Sequence, residues 1–201
     1  VRLTEDFLSN LINCAEQKKE VGIISPMIIK ESGKIWFAGG KINWLAQKCV
    51  HFTKFISNNS VVLTEYVPGT AMLIKSEVLR KVGFFDEDFF LYYEDADLCF
   101  RARNKGYKVA VCLKSKITHL ESQSFFDESV KIENLVKSGL IFFKKNTAGF
   151  LKLIFWIKTL IRFSRLKLMC LFKSNLKCQI MNRAFKEFFK YEINYKHRQL
   201  Q

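Results

Sequence analysis

The stretch FFDEDFFLYYEDADLCFRARNKGYKVAVCL, Phe84 to Leu113, decides the fold class. Asp95 to Lys105 has helical spacing, with Leu98, Ala102 and nearby Phe100 facing inward. Gly106 stands where a helix C-terminus favours a left-handed residue. Lys108 to Leu113 then alternates as a strand does. The first part of the stretch concentrates acid: Asp86, Glu87, Asp88, Glu94, Asp95 and Asp97 fall within twelve positions. Glu94 and Asp95 sit where a loop becomes a helix, and the helix dipole favours a carboxylate there as an anion. Three readings of these acids stand side by side. They cap the helix; or Asp95 accepts a proton from a substrate hydroxyl; or Asp95 and Asp97, at DxD spacing, hold an oxygen-seeking cation. Phe89, Phe90, Tyr92 and Tyr93 precede them and are placed to wall a pocket.

Upstream, Thr4 reads as the N-cap of a helix over 4–19, with Phe7, Leu8, Leu11, Ile12 and Ala15 at helical spacing. Val21 to Ile29 reads as a buried strand made irregular by Pro26. Residues 33–45 suggest short strands around Gly39-Gly40, and 46–60 a polar loop. Val61 to Val67 is strand-like, punctuated by Pro68-Gly69. Ala71 to Ile74 is short and apolar, and Lys75 to Val82 is a brief helix ended by Gly83. Residues 116–126 begin as a strand and run into a loop carrying His119, Glu121, Ser122 and Gln123. A lone histidine there is ordinarily structural; as a metal ligand it needs partners from elsewhere. From about 129 onward the pattern is helical. Strands alternating with helices indicate an α/β body.

The 201 residues are 49% hydrophobic with nine Gly and two Pro, which excludes a disordered or collagen-like chain. Twenty Phe require a Phe-rich core or an apolar partner outside. Residues 1–140 carry 19 basic and 17 acidic side chains, whereas 141–201 carry 14 basic and 2 acidic. A near-neutral body thus ends in a basic tail, which suits anionic lipid or nucleic acid. The six cysteines have no CxxC or zinc-like spacing and read as free thiols in a reducing compartment. No apolar run is long enough for a spanning helix. Val1-Arg2-Leu3 carries no leader and reads as the middle of a protein.

In the tail, Lys158, Arg162 and Arg165 share one face of a helix over 148–172. Leu153, Ile157, Leu160, Ile161, Leu168 and Leu171 lie on the other side. This is the pattern of a helix lying in an anionic membrane interface, with Trp156 as an anchor; it also suits a helix packed on the body. No nucleic-acid-reading motif accompanies the charge, so a nucleic-acid partner is not expected.

Three segments together resemble family 2 glycosyltransferases of the GT-A fold, rhamnosyltransferase-like enzymes of bacterial surface polysaccharides in particular. They are TEDFLSNLINCAEQKKEVGIISPMI, GKIWFAGG, and VPGTAMLIKSEVLRKVGFFDEDFFLYYEDADLCFRARNKGYKVAVCLKSKITHLESQS. The resemblance implies a partial GT-A domain, a Rossmann-like mixed sheet with flanking helices, over 1–134 on the acceptor side. The basic amphipathic helical tail follows over 135–201. It implies inverting transfer from a nucleotide-sugar to a hydroxyl of a glycan or lipid-linked acceptor. Asp95 takes the general base position with Glu94 beside it, Gly69 and Thr70 line the acceptor side, and Asp97 is structural. His119 joins a divalent cation, Mg²⁺ or Mn²⁺, whose main aspartate ligands fall before Val1 with the nucleotide-binding half. The expected place is peripheral, at the cytoplasmic face of the cell membrane. The alternative is a catalytically inactive, truncated membrane-surface module.

Overall fold

A computed structural model describes residues 1–54, 59–120, 127–172 and 175–199, with backbone alone from 196. The chain is a mixed α/β protein that gathers into two compact units. The first holds Val1–Asn43, Lys48–Asp86 and Glu94–Ser124; the second holds Trp44–Gln47, Glu87–Tyr93 and Phe125–Gln201.

The elements of the first unit run β1 (Arg2–Leu3), α1 (Phe7–Gln17), β2 (Val21–Lys30), β3 (Ile35–Phe37), β4 (Gly40–Asn43), β5 (Lys48–His51), β6 (Val61–Thr64), β7 (Leu73–Ile74), α2 (Ser76–Val82), α3 (Glu94–Asn104) and β8 (Lys108–His119). β2 is buried without a break from Val21 to Ile28, as a parallel strand covered on both faces must be. It pairs in parallel with β8, from Val21 opposite Lys108 to Lys30 opposite His119. The register shifts between Pro26 and Met27, where the proline has no N–H for the ladder. Both strands are long enough to take two partners on their outer edges. β8 pairs antiparallel with β6 and then with β1, and β2 with β7 and then with β3.

Three of the expected elements change. The helix expected over 4–19 is Phe7–Gln17, with Asp6 at its N-cap; Thr4 instead donates from Oγ1 to the Lys116 carbonyl. The segment expected as a loop over 46–60 contains β5, which forms an antiparallel ladder with β4 from Gly40–His51 to Asn43–Lys48. Four residues carry too little periodicity to be seen alone, and the strand exists through that pairing. The strand begun at Lys108 does not stop at Leu113 but runs to His119; residues 121–126 lie outside the described residues.

The inner face of α1 buries Leu11, Cys14 and Ala15 against Val21, Ile24, Ala110 and Cys112. This brings the Cα atoms of Cys14 and Cys112 to 6.1 Å, and the two are joined by a disulfide. The reading of six free thiols is corrected at this pair, which 98 residues of sequence separate; Cys49, Cys99, Cys170 and Cys178 are free. Gly22 is required by close approach: a Cβ there would stand 2.6 Å from Val78 and 2.9 Å from the Tyr107 ring.

Asp97, fully buried in α3, accepts from Arg101 Nε at 2.7 Å. The same guanidinium donates to the carbonyls of Val82 and Phe84, tying α3 to the end of α2. One side chain thus neutralises a buried charge and satisfies helix-end carbonyls.

The second unit is built on α4 (Glu128–Asn146), α5 (Gly149–Phe172) and α6 (Leu176–Gln199). Its core is rich in phenylalanine, with Phe142, Phe143, Phe155 and Phe188 buried. The short segments 44–47 and 87–93 complete it. Trp44 stacks on Phe142 at 5.9 Å, the Tyr93 ring lies 5.4 Å from Phe142, and Ser138 donates to the Leu91 carbonyl. Tyr191 donates to Asp88 at 2.7 Å, and Lys144 pairs with Glu192 at 3.0 Å.

Replacing Arg101 by Met would take the paired cation from the buried Asp97 carboxylate and a donor from two carbonyls. The expected loss is about 3–5 kcal/mol of stability, read as a lowered urea midpoint with unchanged slope.

Candidate active site

The first turn of α3 carries Glu94, Asp95 and Asp97, and the helix then buries Ala96 to Cys99. The Val67-Pro68 pair is buried beside it, while Gly69 is exposed and Thr70 half-buried. The Gly69 N–H donates to Asp95 Oδ2 at 2.8 Å. The Ala96 N–H donates to Asp95 Oδ1 at 2.7 Å. Both oxygens of the carboxylate therefore accept from backbone, with the residue's own N–H a third donor, which fixes its plane and leaves a lone pair for a proton. Burial pushes the Asp95 carboxyl above the ordinary carboxylate range, although the Gly69 and Ala96 bonds pull the other way. A carboxylate raised in this way is a stronger base in its ionised form.

Glu94 is raised for the same first reason, burial, with the Asp95 charge adding to it. Its Oε2 is buried with no hydrogen-bond partner among the described residues. Immediately before it, Tyr92 and Tyr93 both adopt left-handed backbone, φ 68° and 69°. Two consecutive bulky residues in that region cost about 1–3 kcal/mol each, and such strain gathers at functional sites. Nothing in the sequence signals it, since neither residue is a glycine or asparagine.

Of the three readings of the acids, cation binding by Asp95 with Asp97 is set aside: Asp97 is committed to Arg101. Two thiols that sequence reasoning did not associate with the site lie near Asp95. Burial raises the Cys49 thiol far above its ordinary value, with the Asp95 charge as the next cause. Burial pushes Cys99 up to about 12. Both are neutral, inert walls rather than nucleophiles. Cys49 arrives on β5, the strand the sequence did not announce.

His119 ends β8, its ring 5.2 Å from Trp36, which also packs on His51 at 4.7 Å. Its Nδ1 is buried without a hydrogen-bond partner among the described residues. Burial lowers the His51 pKa, so that ring is neutral at pH 7. No group of three or more His, Cys, Asp or Glu side chains among the described residues converges to hold a metal ion. The described residues thus offer a divalent cation one candidate imidazole, His119, and do not complete a site for it. The structure brings Asp95, Glu94 and Gly69 together, with Thr70 next in the chain. The aromatic residues expected to wall a pocket divide: Phe89 is buried, Phe90 exposed, and Tyr93 lines a cavity of the helical unit.

A family model described as glycosyl transferase family group 2 matches residues 1–185. The chain is similar to a low-salt glycan biosynthesis hexosyltransferase of Haloferax volcanii, 29% identical over 70 residues. That alignment covers 34% of this chain and 23% of the relative. It is also similar to a dTDP-rhamnosyl transferase of Shigella flexneri, 26% identical over 133 residues, covering 65% of this chain and 42% of that protein. The chain thus spans less than half the length of either relative.

The Asp95 carboxyl, followed by ¹³C NMR, is expected to titrate above the roughly 3.9 of a free aspartate. A folded-state value raised above the unfolded one favours the protonated form. The contribution of Asp95 to stability is therefore full below about pH 4 and is lost as pH rises through the folded-state pKa.

Proposed function

From the chain's membership of glycosyl transferase family group 2, we propose that it supplies the acceptor side of an inverting glycosyltransferase. The observation that carries this reading is the Asp95 carboxylate held by the Gly69 and Ala96 N–H groups at the start of α3. Asp95 takes the proton of an acceptor hydroxyl as that oxygen attacks the anomeric carbon of a nucleotide-sugar. The bond from that carbon to the diphosphate breaks on the opposite face, and configuration inverts. Glu94, raised by burial, sets the local field beside the base. Gly69 and Thr70 form the edge against which the acceptor lies. His119 stands as one imidazole for a divalent cation, which when bound would carry charge developing on the leaving diphosphate. The named relatives act in glycan synthesis and in rhamnosyl transfer, and we place the acceptor in surface polysaccharide synthesis, on a glycan or a lipid-linked glycan.

Asp95→Asn in the full-length protein is expected to lower nucleoside-diphosphate release by about 10²–10⁴-fold while the fold is kept. The acid limb of the wild-type rate profile is expected above the free-aspartate range. Unchanged turnover in the variant would remove Asp95 from this role.

The helical unit supports a second placement, at an anionic membrane surface on the cytoplasmic side. No helix among the described residues is long and apolar enough to cross a membrane. Yet Leu153, Ile157, Leu160, Ile161, Leu168 and Leu171 of α5 are all exposed, an apolar stripe beside exposed Lys152 and Lys167. Trp156 contributes less than expected, because its ring packs against Phe155 and Phe188. If the chain acts only as a membrane module, this surface suffices and sugar transfer is absent. Binding to anionic vesicles is expected to exceed binding to neutral ones. The pair Lys152→Gln with Lys167→Gln should weaken it by about 2 kcal/mol, near thirtyfold, at about 1 kcal/mol for each cation.

A further inference from the structure

Helices α5 and α6 bring a pair of thiols together. The two helices run antiparallel, and their aromatic side chains set the register. The Trp156 ring lies 6.1 Å from Phe188, and the Phe163 ring lies 5.4 Å from Phe185. Cys170 stands seven residues beyond Phe163 on α5, and Cys178 seven residues before Phe185 on α6. Seven residues make nearly two turns, about 10 Å along each helix on the same face. The register that opposes Phe163 to Phe185 therefore opposes Cys170 to Cys178, and the two side chains share a hydrogen bond.

The two sulfurs differ in access. Cys178 is only 4% exposed, in the first turn of α6, where its N–H donates to Asn175 Oδ1 at 2.9 Å. Cys170 is half-buried in the last turn of α5. Loss of water and the Cys178 sulfur raise the Cys170 thiol, and the charge of exposed Lys167, one turn before it, pulls the other way. The pair thus offers one thiol that a reagent can reach and, in contact with it, one that is sheltered. That is the arrangement of an attacking and a resolving cysteine. A raised thiol attacks slowly, which suits a pair that answers a standing redox poise rather than a passing oxidant. By contrast Cys14, Cys112 and Cys99 are all buried in the first unit, the first two already joined.

We propose that Cys170 and Cys178 form a reversible dithiol–disulfide pair that staples α5 to α6, with a small-molecule disulfide as the oxidant. The Cys170 thiol gives its proton to solvent, and its sulfur attacks one sulfur of the small disulfide. That S–S bond breaks, one small thiolate leaves and takes up a proton, and a mixed disulfide remains on Cys170. The Cys178 thiol then loses its proton, and its sulfur attacks the Cys170 sulfur. The second small thiolate leaves and is protonated. Two cysteine thiols are oxidised by two electrons, and one small disulfide is reduced to two thiols. The staple lies wholly within the helical unit and does not rest on the glycosyl-transfer reading, so either can fail while the other stands.

The test is incubation of the folded 201-residue chain in glutathione buffers, from fully reduced to mostly oxidised, followed by alkylation, trypsin digestion and mass spectrometry. Digestion places Cys170 in the peptide 168–173 and Cys178 in the peptide 178–183. The expected product is one cross-link between these two peptides, formed before any at Cys49 or Cys99 and removed by dithiothreitol. Cys178→Ser is expected to stop with glutathione on Cys170. Cys170→Ser is expected to slow modification of Cys178 about tenfold, in protein whose circular dichroism matches wild type. In the oxidised wild type, amide exchange over 166–172 and 176–182 is expected to slow about tenfold, because closing a short loop restrains local opening. Glutathione that persists on Cys170 of the wild type overturns the proposal, since Cys178 then does not resolve it. So does the absence of any cross-link, a first cross-link at another cysteine, or a cross-link that forms only after unfolding in urea. Equal amide exchange in the two redox states would show a bond that staples nothing, and overturns it too.

Discussion

The parallel ladder between β2 and β8 is the constraint on which the first unit depends. Parallel strands satisfy their backbone groups only as part of a sheet covered on both faces, and β2 is buried accordingly. Because each strand is long, it templates two short partners along its outer edge, so β1, β3, β6 and β7 need little strand character of their own. The ladder also fixes the site. α3 packs on β8 and β2 and joins β8 through the tight Gly106 turn. Its eleven residues lead back along the sheet for about 16 Å, so its first turn lies away from the start of β8. There the dipole and the Gly69 loop meet the Asp95 carboxylate.

That carboxylate carries a compromise. Removing it from water raises its pKa and works against folding at neutral pH, whereas the backbone donors of Gly69, Ala96 and Asp95 itself favour its charged form. A residue placed for stability alone would have only the second influence. The same holds for Glu94 with its unpaired buried oxygen, and for the two left-handed tyrosines before it. The Asp97–Arg101 clamp sits two residues along the same helix and shows the opposite design, a charge fully paired. Neighbouring acids in one turn thus differ in how their charge is met. The difference follows what stands opposite each: a loop N–H that leaves a lone pair for Asp95, a guanidinium for Asp97.

Much of this was legible because it is local. The α3 spacing, the Gly106 terminus and the buried run of β2 each declare themselves within a dozen residues. The Glu94-Asp95 pair at a helix start was readable for the same reason. What escaped is non-local. β5 exists through its ladder with β4, Cys14 meets Cys112 across 98 residues, and Cys49 reaches the neighbourhood of Asp95 only through that unannounced strand. Periodicity reports which face of an element is apolar and is silent on which distant element will cover it.

The α5 helix makes the same point about charge. Its spacing correctly puts Lys158 and Arg162 on one face, which a charge count assigns to an external anion. In the folded unit Lys158 donates to the Leu45 carbonyl, and Arg162 to Gln47 and the Ala46 carbonyl. Two of the tail's cations are therefore partly engaged in holding an internal segment, while the leucines and isoleucines of the opposite side, read as facing either a membrane interface or the body, stand exposed. Net charge alone overstates the attraction to a surface. The combination left on the outside, an apolar stripe with lysines at its edge, is the arrangement that partitions into an interface, because each methylene removed from water adds about 0.8 kcal/mol and each flanking cation about as much.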